Sequence, residues 1–132
     1  MNMPDMKASE LRIGNLVDLG NRIAKVIEIN HLACVVVDLE ETQDTIEDYE
    51  RVKPIKLTEE WLLKFGLKPN QWFCSNSYCV VEDKTGDIHY GWCMKTQNSL
   101  HTKEIEFGYF KYVHQFQNLY FAIIGEELIL KE

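Results

Sequence analysis

Tyr112-Val113-His114-Gln115-Phe116-Gln117-Asn118-Leu119-Tyr120-Phe121-Ala122-Ile123-Ile124-Gly125 is the stretch that decides the fold class of this chain. In the strand segment Ile88–Met94 before it, apolar residues recur at every second position. Here the period becomes helical. At 100° per residue, Tyr112, Val113, Phe116, Leu119, Tyr120, Ile123 and Ile124 fall within an arc of roughly 140°, the stripe of a core-facing helix. Gly125 fits the C′ position, where a left-handed backbone is needed. The start is less well marked: no good N-cap precedes it, and Lys111 opposes the helix dipole.

Upstream of this helix the pattern is that of strands. Gln71–Ser75 and Tyr78–Glu82 are short, and Asp83-Lys84-Thr85-Gly86-Asp87 is a cluster of turn formers. Ile88, Tyr90, Trp92 and Met94 share one face at a clean period of two. Gln97 to Thr102 has the composition of a loop, Ile105 and Phe107 belong to another strand, and Glu126 to Leu130 predicts a closing one. Further upstream, Leu57 to Leu67 predicts a short helix. Thr58 is its N-cap, Glu59 and Glu60 lie where the dipole favours anions, and Leu57 and Leu62 form a hydrophobic staple. Gly66 fits C′, with Leu67 folding back on Leu62.

The first 56 residues predict three or four short strands. Gly20-Asn21 and Asn30-His31 are turn pairs. Between them Ile23, Lys25, Ile27 and Ile29 fall on one parity and Ala24, Val26 and Glu28 on the other, so neither face is purely polar. Cys34-Val35-Val36-Val37 suits a central strand, and an edge strand is expected near Thr45–Val52. The resulting expectation is an α+β fold in one domain spanning residues 1–132. Its sub-halves are 1–56, a bent antiparallel sheet or SH3-like small barrel, and 57–132. In the second, the short linking helix leads to another antiparallel sheet, on which helix Tyr112–Ile124 packs.

Charge is distributed very unevenly. Of 21 acidic residues, seven (Asp38, Glu40, Glu41, Asp44, Glu47, Asp48 and Glu50) lie in one short run that contains no Lys or Arg. The remaining acids match the 14 bases, so the net charge of −7 is a local property. A pI near 5.1 disfavours general binding of nucleic acid, which depends on Lys and Arg neutralising phosphate, and docking on anionic membrane. No apolar run approaches the roughly 20 residues that span a bilayer. Met1 to Met6 has no basic n-region, so no secretory signal is read and a reducing cytoplasm is the expected compartment. The four cysteines, Cys34, Cys74, Cys79 and Cys93, then read as free thiols.

Three words of the sequence, Leu57-Thr58-Glu59-Glu60-Trp61-Leu62-Leu63-Lys64-Phe65-Gly66, Lys111-Tyr112-Val113-His114-Gln115-Phe116-Gln117-Asn118-Leu119-Tyr120-Phe121-Ala122 and Leu11-Arg12-Ile13-Gly14-Asn15, resemble a group of short uncharacterised proteins from Bacteroidetes genomes, often in phages or mobile elements. The resemblance spans most of the chain in order, while Cys74 to Thr102 matches nothing in that group. It implies an accessory cytoplasmic protein and transfers no activity and no catalytic residue.

Four constellations carry the functional expectations. The first is the acidic run Asp38, Glu40, Glu41, Asp44, Glu47, Asp48 and Glu50, with Tyr49 as an aromatic anchor. It reads as a binding edge for a basic protein partner that itself handles nucleic acid, as a phage-type inhibitor would. The plainer reading is a solvated hairpin edge that discourages aggregation. It is not an EF-hand, because Gln43 and Tyr49 stand where that loop needs Gly and Glu. The second is the row His114, Gln117, Asn118 and Phe121 on the last helix, a ligand face or a polar face bonded to its own sheet. The third is Cys74, Cys79, His89 and Cys93, whose chemistry suits zinc but whose spacing does not, so no metal and no cofactor is expected. The fourth is a Cys79 or Cys93 nucleophile with His89, a thiol-dependent enzyme. No catalytic motif supports this, and Arg12, Arg22 and Lys25 are too few for the alternative, a small-barrel module binding nucleic acid directly.

Overall fold

The computed structural model describes residues 8–31, 33–38, 44–73, 78–83, 89–97 and 102–131. In chain order the elements are β1 (Leu16–Asp18), β2 (Ile23–Ile29), β3 (Ala33–Asp38), β4 (Asp44–Asp48), α1 (Glu59–Lys64), β5 (Trp72–Phe73), β6 (Tyr78–Asp83), β7 (His89–Gln97), β8 (Thr102–Phe110) and α2 (Val113–Ile124). They form an α+β protein with two four-stranded antiparallel sheets, ordered β1-β2-β3-β4 and β5-β6-β7-β8. The chain divides into two compact units, Met1–Lys56 with Tyr112–Leu128, and Leu57–Lys111 with Ile129–Glu132. Among the described residues no helix is long and apolar enough to cross a membrane.

The first unit is a meander whose turns follow the sequence. Gly20 has φ +97°, and its N–H donates to Asp18 Oδ1 at 2.8 Å, a tight turn that a side chain would strain. At the next turn the Ala33 N–H donates to Asn30 Oδ1 at 3.0 Å. Leu11, Val17, Ala24, Val26, Cys34, Val36 and Val52 form the core. The mixed parity of β2 has a physical cause. Val26 pairs with Val36 but Glu28 pairs with Val35, so Ile27 is an extra bulged residue. The bulge flips the pattern, so Ile29, opposite buried Cys34, joins the same inward face as Ala24 and Val26.

β4 is shorter than the expected edge strand, because Tyr49–Arg51 turns into a single 3-10 turn. The chain then returns to β1 by one rung, in which Asp18 and Lys53 exchange two N–H···O bonds of 2.9 Å. The ladders therefore describe a bulged antiparallel sheet with a one-rung return. A closed SH3-like barrel is not what they show.

α2 belongs to the first unit, which corrects the expectation that it packs on the second sheet. Its stripe is apolar as read, with Val113 and Phe116 fully buried. A stripe specifies a need for cover without specifying which sheet supplies it. The partner is set by polar groups that the stripe does not include. Buried Gln117 accepts the Leu16 N–H at 2.8 Å and donates to the Gly14 carbonyl at 3.1 Å. Asn118 Oδ1 accepts from the Asn15 amide at 2.8 Å. The helix starts where Gln115 Oε1 accepts the Tyr112 N–H at 3.2 Å and the Val113 N–H reaches the Ile55 carbonyl at 2.8 Å. It ends at Gly125, in the left-handed region at φ 84°.

In the second unit α1 is capped as its sequence predicts. Thr58 Oγ1 accepts the Trp61 N–H at 3.3 Å. The Leu67 N–H reaches the Leu62 carbonyl and the Gly66 N–H the Leu63 carbonyl, both at 2.9 Å, which is the paired bonding of a Schellman motif. Leu57 and Leu62 are fully buried. Val80, Tyr90, Trp92 and Phe110 are the large buried side chains of the sheet. The β7–β8 ladder carries a bulge at Gly91/Trp92. Residues 127–131 form no ladder in place of the closing strand expected there. The Lys131 N–H instead caps the Lys64 carbonyl at 2.7 Å.

Candidate interaction surface

β4 is the last strand of the first sheet, and its two faces differ in chemistry. Thr45 and Glu47 stand opposite Val36 and Cys34, both of which are fully buried. Glu47 is thereby drawn inward: it pairs with Arg22 at 3.5 Å and accepts from Thr45 Oγ1 at 3.2 Å. Burial and the Glu47 charge together push the Cys34 thiol up. Tyr49, expected as an outward anchor, packs against the core and donates its hydroxyl to the Asn30 carbonyl at 2.5 Å.

On the other face of β4, Asp44, Ile46 and Asp48 are all exposed. Glu50 on the following turn is exposed as well. Ile46 is 76% exposed, the largest value for a large apolar side chain among the described residues. The side chain of Asp38 and the whole of Glu40 and Glu41 lie outside the described residues. The exposed face of this edge thus comprises, among the described residues, Asp44, Ile46, Asp48 and Glu50. The sequence reading passed over Ile46. Its signal is its place in the alternation Asp44-x-Ile46-x-Asp48 on an edge strand.

The row on α2 is divided between two tasks. Gln117 and Asn118 bind the Gly14–Leu16 segment as described, and the Asn118 amide also donates to the Glu10 carbonyl at 3.2 Å. Phe121 lies under the Arg12 guanidinium, 4.3 Å from its carbon to the ring centroid, and Arg12 also pairs with Glu127. His114 and Asn118 line a groove of about 620 Å³ with Glu10, Pro54, Tyr112 and Leu119. The His114 ring lies nearly parallel to Tyr112, with centroids 6.0 Å apart. Among the described residues its buried Nδ1 has no hydrogen-bond partner, and burial pushes the imidazole down to about 4. It is therefore neutral at pH 7.

Of the sulfur and imidazole groups, Cys79 and Cys93 are brought together as partners in the β6–β7 ladder. His89 pairs with Asp83, four rungs away and so about 13 Å along the strand. Cys74 lies outside the described residues. Among the described residues no three His, Cys, Asp or Glu groups are placed to hold one metal ion.

Comparison with protein-family models, with curated proteins and with solved structures finds no match to this chain.

Proposed function

We propose that the chain is a non-enzymatic binding module that engages a basic protein segment through the outer face of β4. The observation that carries this reading is an apolar side chain, Ile46, exposed between Asp44 and Asp48 on a terminal strand. Carboxylates alone steer encounter and give little lasting affinity. An exposed apolar residue at their centre supplies surface that gains by being covered. The same arrangement rejects a second copy of this chain, since two such edges would oppose like charges, and the inward-facing Glu47 further blunts pairing with an identical strand. A cationic partner removes that repulsion. A protein whose basic channel handles nucleic acid fits this chemistry, and the resemblance to phage and mobile-element proteins points the same way, toward an inhibitor.

The test uses a fluorescent peptide of alternating Lys/Arg and apolar residues as probe, with bare DNA and RNA as counter-probes. The expected result is peptide binding that weakens as salt rises. Replacing Asp44, Asp48 and Glu50 by Asn, Asn and Gln lowers affinity by about tenfold or more and flattens the salt dependence. Glu47 is left in place because it is held by Arg22. Unchanged binding in the neutralised variant, or tight binding of the unaltered chain to bare nucleic acid at physiological salt, overturns the reading.

A further inference from the structure

The β6–β7 ladder sets two cysteines directly opposite one another. Cys79 is the Cα partner of Cys93. Neither is in a disulfide, and both are buried, at 4% and 8% exposure. Directly opposed residues on antiparallel strands point to the same face and hold their Cα atoms about 4.5–5.5 Å apart. That range falls inside the roughly 4.4–6.8 Å that a disulfide spans. Cys34 has no such neighbour in its ladder, standing opposite Glu47 and Ile29.

Position in the sheet adds to the argument. Trp72, Cys79, Cys93 and Glu106 are successive Cα partners across all four strands, so the two thiols occupy the central pair. On the β6 side they are flanked by β5, which is only two residues long. A strand that short opens at small cost, so burial of Cys79 does not seal it from a small reagent.

We propose that Cys79 and Cys93 are a modification site, a dithiol that a low-molecular-weight disulfide such as oxidised glutathione converts into a cross-strand disulfide. One thiol loses its proton, and its sulfur attacks the S–S bond of the reagent. This releases one glutathione thiolate and leaves a mixed disulfide on the protein. The opposed thiol then loses its proton and attacks the protein-bound sulfur, forming the Cys79–Cys93 bond and releasing the second glutathione. The protein gives up two electrons and two protons, and one oxidised glutathione becomes two reduced molecules. The ladder makes the second step intramolecular between groups already aligned, which favours closure over a lasting adduct. The proposal does not depend on the reading of the β4 surface.

Incubating the full chain with oxidised glutathione, then mapping peptides without reduction, tests this. The expected product is a native chain lighter by two hydrogen atoms, with the Cys79 and Cys93 peptides linked and a melting temperature higher by roughly 5–10 °C. Cys93→Ser removes the resolving partner, so the expected product of that variant is a persistent mixed disulfide at Cys79. A lasting glutathione adduct on the unaltered chain overturns the proposal. So does a bond involving Cys34 or Cys74, or a Cys79–Cys93 bond that forms only in denaturant. The mapping on the unaltered chain decides the matter even where the variant fails to fold.

Discussion

Gln117 binds the backbone on either side of Asn15, accepting the Leu16 N–H at 2.8 Å and donating to the Gly14 carbonyl at 3.1 Å. A side chain on α2 thus satisfies two main-chain groups where the chain enters β1. The amide is 2% exposed, so no water replaces either bond if it is lost.

Gln117→Met keeps the length of the side chain and removes both bonds. Each buried group left unsatisfied costs roughly 1–3 kcal/mol, so the variant is expected to lose about 2–4 kcal/mol in urea unfolding. A loss below about 0.5 kcal/mol would show that these groups find other partners.

His114 makes stability depend on pH in a defined window. Its ordinary value of 6.5 applies to the unfolded chain, and burial pushes it down to about 4 in the folded one. Between those values the unfolded chain binds more protons. Stability is therefore full above about pH 6.5 and falls as pH drops toward 4, by up to about 3 kcal/mol in all. His114→Gln is expected to remove this component, giving a shallower decline than the unaltered chain across that window. Parallel declines would contradict it.

Gly66 and Lys131 allow two costs to be separated. At φ +81° an added Cβ is strained, and it would also lie 2.8 Å from Lys131 Cε. Gly20, at φ +97°, has nothing within 4 Å of such a Cβ. Gly20→Ala should cost about 1 kcal/mol from backbone strain alone, and Gly66→Ala about 1–2 kcal/mol. Adding Lys131→Ala to Gly66→Ala should recover the excess and leave the strain, because the Lys131 main-chain bond to Lys64 is retained. Equal costs at the two glycines would sink the prediction.

Ile46→Ser should leave unfolding free energy within about 0.5 kcal/mol, since the residue is 76% exposed and packs little. The same change should weaken binding of the basic peptide severalfold while leaving its salt dependence intact, the opposite signature to neutralising the carboxylates. A large stability loss would mean that Ile46 serves the fold.

The parts of this structure that local chemistry determines were legible beforehand. Thr58, Gly66 and Gly125 mark helix ends by their own conformational preferences, and Gly20 and Asn30 mark turns. The α2 start was obscure because its bonds are made by Gln115 and by Ile55, the latter far away in sequence. The bulge at Ile27 was visible only as a confused parity. Which sheet α2 covers depended on Gln117 and Asn118, residues that an apolar stripe leaves out. For the β4 surface, charge density was legible. The inward use of Glu47 and Tyr49 was not, because register decides which residues of an edge strand face the core. The pairing of Cys79 with Cys93 likewise depends on the register of β6 against β7.

Lys56 and Tyr112 are bridge partners, so the chain leaves the first unit and re-enters it at adjacent points. The second unit is spliced into the first. During synthesis the ribosome delivers the whole meander, then 55 residues of another body (Leu57–Lys111), before α2 emerges. Until then the Leu16 N–H and the Asn15 amide have no helix to bind. The intervening unit, by contrast, needs only four residues from beyond α2. The first unit, begun first, is thus left incomplete while the second is made, and neither is complete until residues beyond Lys111 have emerged.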